Sequence, residues 1–279
     1  MNIGIAGLGL IGGSLGLDLR SLGHYVWGIS RSSDTCKQAV AIGAVDAACQ
    51  EVSMIPYLNK TDVVFVCTPI TAILPTIAAI APQLSPKTIF TDVGSVKSAI
   101  VGEATKLCRF VGSHPMAGTA FSGINAAERN LFKNRPCVIA PTEDREAMVV
   151  VRSLWESLGM LIYECDAAVH DRAVAWISHL PVMVSAALIH SCQQEPDAEV
   201  VQLAKNLASS GFRDTSRVGG GNPELGRLMA EYNQTALLKT LHTYRDVLQS
   251  LIGEIENGNW DALQALLETT QAARPLYIK

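Results

Sequence analysis

Ile3-Gly4-Ile5-Ala6-Gly7-Leu8-Gly9-Leu10-Ile11-Gly12-Gly13-Ser14 is the stretch that decides the fold. A short β-branched run ends in glycines spaced G-x-G-x-x-G at Gly7, Gly9 and Gly12. In that spacing the first glycine permits a tight turn, the second lets backbone approach a pyrophosphate, and the third lets a helix pack on its strand. The helix that follows opens at Leu10 and Ile11, whose free backbone N–H groups would face the phosphates. Glycines also serve ordinary βα turns. Here, however, strand, helix and a second strand at Tyr25–Ile29 follow in the order a dinucleotide site requires.

Working outward, short β-branched or aromatic runs recur at Val63–Cys67, Thr88–Asp92, Arg109–Gly112, Cys137–Ala140 and Leu161–Tyr163. Helical spacing lies between several of them, as at Val96–Leu107 and Glu143–Leu158. Alternating β and α over some 160 residues predicts a mostly parallel sheet with helices on both faces. After Tyr163 the strand signal stops. Asp166–His190, Glu224–Asn257 and Asn259–Ala273 read as helices, and the charge turns from nearly balanced to acidic. The expected organisation is an α/β Rossmann-type domain over residues 1–163 and an all-α domain over 164–279. Within the latter, Leu237, Leu241, Tyr244, Leu248, Leu251 and Ile255 form an a/d seam that calls for another helix. That helix belongs either to the same chain or to a second copy, and a homodimer through the helical half is the expectation.

Composition excludes several classes. The chain has 279 residues, 48% hydrophobic and 17% charged, which rules out disorder. A net charge of −4 argues against a nucleic-acid binder. Seven scattered cysteines without a C-x-x-C read as thiols in a reducing compartment, with neither a disulfide framework nor a metal site. The apolar start lacks a basic n-region, so no secretory signal is expected. Ala173–Gln194 is long and uncharged but carries Ser178, His179, Pro181 and His190. It reads as a buried central helix and not as a membrane span. A cytoplasmic protein with no membrane partner follows.

The end of the second strand bears on which dinucleotide is bound. An NAD site usually places an acid about 20 residues after the glycines, on the ribose 2′-hydroxyl. This chain has Gly28-Ile29-Ser30-Arg31-Ser32, with no acid before Asp34. Arg31 can grip a 2′-phosphate through its planar fork, with Ser30 and Ser32 donating hydroxyls, so NADP is expected. Three further loops follow strand ends: Cys67-Thr68-Pro69, Asp92–Lys97 and Gly112–Gly118. Thr68 and Pro69 would border the cofactor. His114, among small residues, is the candidate catalytic group. The Ser95 hydroxyl could bond a substrate oxygen or the nicotinamide, and could also cap the helix Val96–Leu107.

Together, Gly7–Gly12, Gly94-Ser95-Val96-Lys97, Ser113-His114-Pro115-Met116-Ala117-Gly118, Ser178-His179-Leu180-Pro181 and Gly211–Arg217 resemble the prephenate/arogenate dehydrogenases of tyrosine biosynthesis. The motifs run in order across nearly the whole chain, and the later ones are specific as a set. The resemblance implies a Rossmann domain joined to a helical dimerisation domain. It also implies oxidative decarboxylation of a cyclohexadienol, with hydride passing to the nicotinamide and the ring carboxylate leaving as CO₂. His114 would accept or polarise the ring hydroxyl, a task suited to neutral imidazole. Ser95 would bond the same hydroxyl or the nicotinamide. Arg217 would bind a substrate carboxylate with Arg213 beside it, and His179 and Ser178 would line the pocket. Pro181 would bend its helix around the site.

Two departures concern the side-chain end of the pocket. Val182 stands where some prephenate-specific relatives have His, and Ala120 where some have Glu. The expected substrate is arogenate, with prephenate or both as the alternative. The chain shows neither a chorismate mutase segment nor an ACT regulatory domain, which fits a monofunctional enzyme. Two rival readings remain. A β-hydroxyacid dehydrogenase would need a catalytic Lys on the Asp166–His190 helix, which has none. A dinucleotide-sensing regulator would have no use for His114, Ser95 and Arg217 around one cleft.

Overall fold

A computed structural model describes residues 1–279 apart from Tyr57, Ala120 and Lys279; the expectation attached to Ala120 therefore lies outside the described residues. The first half alternates as the sequence predicts: β1 (Asn2–Ala6), α1 (Leu10–Ser21), β2 (Tyr25–Ile29), α2 (Ser33–Ala41), β3 (Ala47–Cys49), β4 (Val63–Val66), α3 (Ile70–Ile80), β5 (Ile89–Asp92), α4 (Ser98–Leu107) and β6 (Arg109–Val111). These six strands form one parallel sheet in the order β3-β2-β1-β4-β5-β6. Every residue of β4 and β5 is buried, as strands covered by helices on both faces must be. The strand order reverses between β1 and β4. In open α/β sheets a ligand crevice opens at that switch point, outside the carboxyl ends of the strands.

A second, three-stranded sheet follows, built from β7 (Ser113–Pro115), β8 (Pro136–Ile139) and β9 (Leu161–Glu164), with α5 (Arg145–Ser157) before β9. β7 runs antiparallel to β8, and β8 parallel to β9. The sequence reading misses β3 and β7 because each is three residues long and neither is β-branched. The second miss matters. His114 is not on a loop; it is the middle residue of β7, opposite Val138. Trp155 of α5 locks this sheet to the first. Its ring meets the edges of Phe65 and Phe132 at 5.3 and 5.6 Å, and its Nε1–H donates to Ser113 Oγ at 3.1 Å.

The helical half holds α6 (Ala167–Val174), α7 (Leu180–Cys192), α8 (Ala198–Leu207), α9 (Ser210–Ser216), α10 (Pro223–Tyr232), α11 (Gln234–Glu256) and α12 (Trp260–Ala273). The expected single helix over 166–190 is two helices joined by a π-helical turn, Ala175–His179. Pro181, in the first turn of α7, supplies no N–H to the carbonyl of Ile177, and the backbone widens where that bond is missing. The expected helix 224–257 breaks at Asn233, and α8 and α9 are additions. The expectation that Ala173–Gln194 is a buried helix also needs correction, since it lies almost wholly in the helical run Ala167–Cys192. That run is long and apolar enough to span a bilayer, yet only 28% of its most apolar window is covered within one chain. Nothing on α8, α9 or α12 is buried. Along α11 the seam fills only at its start, with Leu237 buried and Tyr244, Leu248 and Ile255 exposed.

Candidate active site

The glycine turn has the geometry its spacing requires. Gly7 sits at φ +102°, and a Cβ there would lie 2.6 Å from the carbonyl oxygen of Cys67; a Cβ on Gly12 would lie 2.0 Å from the carbonyl of Gly7. A Cβ on Gly9, by contrast, would meet no protein atom within 4 Å, so packing does not demand this glycine. The space beside it is left for a ligand. Gly9 also caps α1 without any side chain bonding the helix end, and the first turn carries no acid, so the Leu10 and Ile11 end of α1 keeps its positive field for an anion. Across the crevice, Thr68 Oγ1 is buried with no hydrogen-bond partner among the described residues, beside Pro69, the N-cap of α3. An orphaned hydroxyl and an unfilled glycine facing one crevice fit a dinucleotide.

At the far end of that crevice, the carbonyl of Arg31 accepts from Gln50 Nε2 at 2.7 Å, while its exposed side chain has no ion pair among the described residues. Ser32 has a second task, its hydroxyl accepting from Thr35 N at 3.2 Å to cap α2. Ser30 Oγ accepts weakly from Ser32 N at 3.4 Å.

Past the carboxyl end of β5, the loop Val93–Val96 wraps around a buried charge. Lys97, wholly buried, pairs with Asp92 and donates to the carbonyl of Ser113 at 2.8 Å. Asp92 in turn accepts from Gly94 N at 2.9 Å and Ser113 N at 3.1 Å. A buried ion pair is tolerable only with its remaining valences filled, and here the donors and acceptors are supplied by the strand that carries His114. Ser95 sits half-buried on this loop and makes no hydrogen bond among the described residues. The alternative role as a helix cap is not realised. α4 starts three residues later, at Ser98, and its N-terminus is satisfied from the other domain, by Asp171 Oδ1 on Lys97 N at 2.7 Å and Oδ2 on Ser98 N at 2.8 Å.

Asp171 brings in two residues that the motif reading passed over. His170 Nδ1 lies 2.8 Å from Asp171 Oδ1, and His170 Nε2 lies 2.8 Å from His114 Nδ1. Burial works to raise the Asp171 carboxyl, but the donors from His170, Ser98 and Lys97 outweigh it and hold the group below its ordinary value. It is therefore a carboxylate, and His170 must donate to it through Nδ1. In the arrangement where the His170 proton sits on Nδ1 alone, its Nε2 accepts from His114 Nδ1–H. The free electron pair of His114 is left on Nε2. Burial, then the charge of Lys97 and the neighbouring His170 and His179, push His114 well below the ordinary histidine value, so the ring stays neutral. The sequence signal that could have found His170 and Asp171 was an adjacent pair of polar residues inside an apolar helix.

The π-helical turn places Ser178, half-buried, next to the buried His179. Asn233, at the break between α10 and α11, reaches both the Asp171 carbonyl at 2.7 Å and His179 Nδ1 at 3.1 Å. His114, His170, Asp171, His179, Lys97 and Asn233 thus form one buried cluster at the domain junction. Arg213 and Arg217 are not drawn into it. Both are exposed; Arg213 pairs with Asp214 at 3.5 Å, and Arg217 has no ion pair among the described residues.

Comparison with known proteins places these features in a family. Residues 15–164 match the nucleotide-binding domain of prephenate dehydrogenase, and residues 166–269 its dimerization domain. A crystal structure of Synechocystis arogenate dehydrogenase is 55% identical, with a TM-score of 0.89 over the whole of both chains. The prephenate dehydrogenase of Aquifex aeolicus, solved with hydroxyphenyl propionate and NAD+, is 26% identical, with a TM-score of 0.92 over 98% of this chain and 97% of that one. A prephenate dehydrogenase of Bacillus subtilis is 31% identical over 84% of this chain, and the match spans 64% of that protein's length.

One consequence of the cluster is acid sensitivity. Burial lowers His179 from 6.5 to about 4. Unfolded, the ring takes up a proton near 6.5 that the folded chain refuses until about 4, so acidification across that window favours unfolding. Denaturant midpoints measured at pH steps between 7 and 4 are expected to fall, and His179→Asn should flatten the fall.

Proposed function

We propose that this chain, which belongs to the prephenate dehydrogenase family, oxidises arogenate to tyrosine and CO₂ with NADP as electron acceptor. Membership of this family makes it an oxidoreductase that uses a nicotinamide dinucleotide. The observation that carries the chemistry is the hydrogen-bonded chain from Asp171 through His170 to His114; read with Nδ1–H of each ring pointing toward Asp171, it leaves a lone pair on His114 Nε2. A positioned, neutral imidazole is the acceptor needed to take the proton of a ring hydroxyl.

Bound along Gly7–Gly12, Thr68 and Pro69, the dinucleotide supplies the hydride-accepting carbon. The protein's own work is to hold the ring and move one proton. His114 Nε2 accepts the hydroxyl proton, and Asp171 steadies the resulting charge through His170. Ser95 orients the hydroxyl or the nicotinamide amide. His179 and Ser178 line the ring, while Arg217 and Arg213 meet the carboxylates. Aromatisation provides the driving force, so positioning is the main catalytic demand. A domain division at 163/164 puts the hydride-transfer groups in one unit and the carboxylate-binding groups in the other.

For the substrate, two features support arogenate: the full-length similarity to the Synechocystis protein, and Val182, which offers no donor to a side-chain ketone. For NADP, the support is Arg31, free of ion pairs among the described residues, with no acid at the ribose position. A homodimer in solution is supported by α8, α9 and α12, which bury nothing in one chain, and by the open α11 seam. The same reading makes it a soluble cytoplasmic enzyme.

Reduced-nicotinamide absorbance with arogenate and prephenate, each with NAD and NADP, tests the reading. The highest kcat/KM should belong to arogenate with NADP; prephenate equal or better would overturn the substrate. His114→Asn should lower kcat by roughly 10²–10⁴ with little change in substrate affinity. Arg31→Ala should weaken NADP about tenfold or more while sparing NAD, since a charge-assisted contact contributes roughly 1.5–3 kcal/mol. Light scattering at micromolar protein should give about twice the 29.8 kDa chain mass.

A further inference from the structure

Asn233 is 6% exposed and His179 is fully buried, and the contacts between them fix which way each group points. A backbone carbonyl can only accept, so the Asn233 atom 2.7 Å from the Asp171 oxygen must be the amide nitrogen. That same nitrogen lies 3.1 Å from His179 Nδ1 and donates its second hydrogen there. His179 Nδ1 is therefore an acceptor. Since burial holds the ring neutral down to about pH 4, its one proton must sit on Nε2. Nε2 is sealed from solvent and has no hydrogen-bond partner among the described residues. A buried N–H left unpaired is costly, and in a site built around a second and a third imidazole it marks where an acceptor is to come from outside.

We propose that Asn233 is a positioning residue that locks His179 in the Nε2–H tautomer, so that His179 gives a hydrogen bond to a carboxylate oxygen of the bound substrate. This rests on the reading of the site as one for a cyclohexadienyl carboxylate. Asn233 does not touch the substrate itself. It acts from the break between α10 and α11, and its hold on the Asp171 backbone ties the same amide to the residue that orders His170 and His114. The two histidines end with opposite polarity. His114 Nε2 accepts and His179 Nε2 donates, as a site needs that removes a proton from one part of a molecule while gripping an anion on another.

Nitrogen NMR of the imidazole rings reads the tautomer on the protein alone, whatever its substrate proves to be. Wild type should show His179 protonated on Nε2 only, and Asn233→Ala should show a mixture of both tautomers. A wild-type proton on Nδ1, or a spectrum unchanged in Asn233→Ala, overturns the proposal. In steady-state kinetics Asn233→Ala should raise KM for the cyclohexadienyl substrate roughly tenfold, with the dinucleotide KM within about twofold. His179→Gln keeps an N–H near the Nε2 position and has no tautomer to set. In that background Asn233→Ala should add nothing; a tenfold rise there would show a purely structural role. Absence of any dehydrogenase activity would sink the function reading and leave the ring-nitrogen result to stand or fall by itself.

Discussion

The carboxylate of Asp171 accepts from three donors, and the domain junction is organised around them. Two are backbone N–H groups at the start of α4, and the third is the ring of His170. A carboxylate removed from water must be met by donors or else protonate. Here the donors lie in both domains, so meeting that requirement sets how the domains sit against each other. It also determines where α4 begins, because a helix N-terminus needs an acceptor and the nearest one comes from α6. It fixes one end of the imidazole chain as well: with Asp171 accepting, His170 donates through Nδ1 and turns Nε2 toward His114.

On the opposite side of the same strand end, the Lys97–Asp92 pair performs a parallel task. Its charges are satisfied by groups of Ser113, the residue before His114. The catalytic candidate is thus held at its backbone by a buried ion pair and at its ring by a buried carboxylate. Rigid support of this kind suits a reaction in which geometry contributes most of the rate.

The two halves differ in how completely one chain satisfies them. In the dinucleotide half the strands are covered and the core is continuous across both sheets. In the helical half, α8, α9 and α12 bury no residue at all. The two arginines proposed for substrate carboxylates sit on and just after α9, which packs on α7 but buries none of its residues. The proposed proton-transfer groups thus lie where packing is complete, and the anion-binding candidates where packing is still open.

By itself the sequence determined what depends on local pattern. Gly7 and Gly12 announce the turn because close backbone approach tolerates no side chain at those two points, and the alternation of short strands with helical spacing predicts the parallel sheet. His114 was legible for its surroundings, and Arg31 for the missing acid beside it. What only the tertiary structure decided were the partnerships. The helix that Ser95 was in a position to cap is capped by Asp171, more than seventy residues away. His170 carried no motif of its own and gains its role solely from touching His114 across 56 positions of sequence. Asn233 reads as a helix break until its amide is seen between a carbonyl and an imidazole. Residue types and spacings encode periodicity and backbone freedom, whereas the position of a proton on a ring depends on which groups long-range packing brings within hydrogen-bond distance.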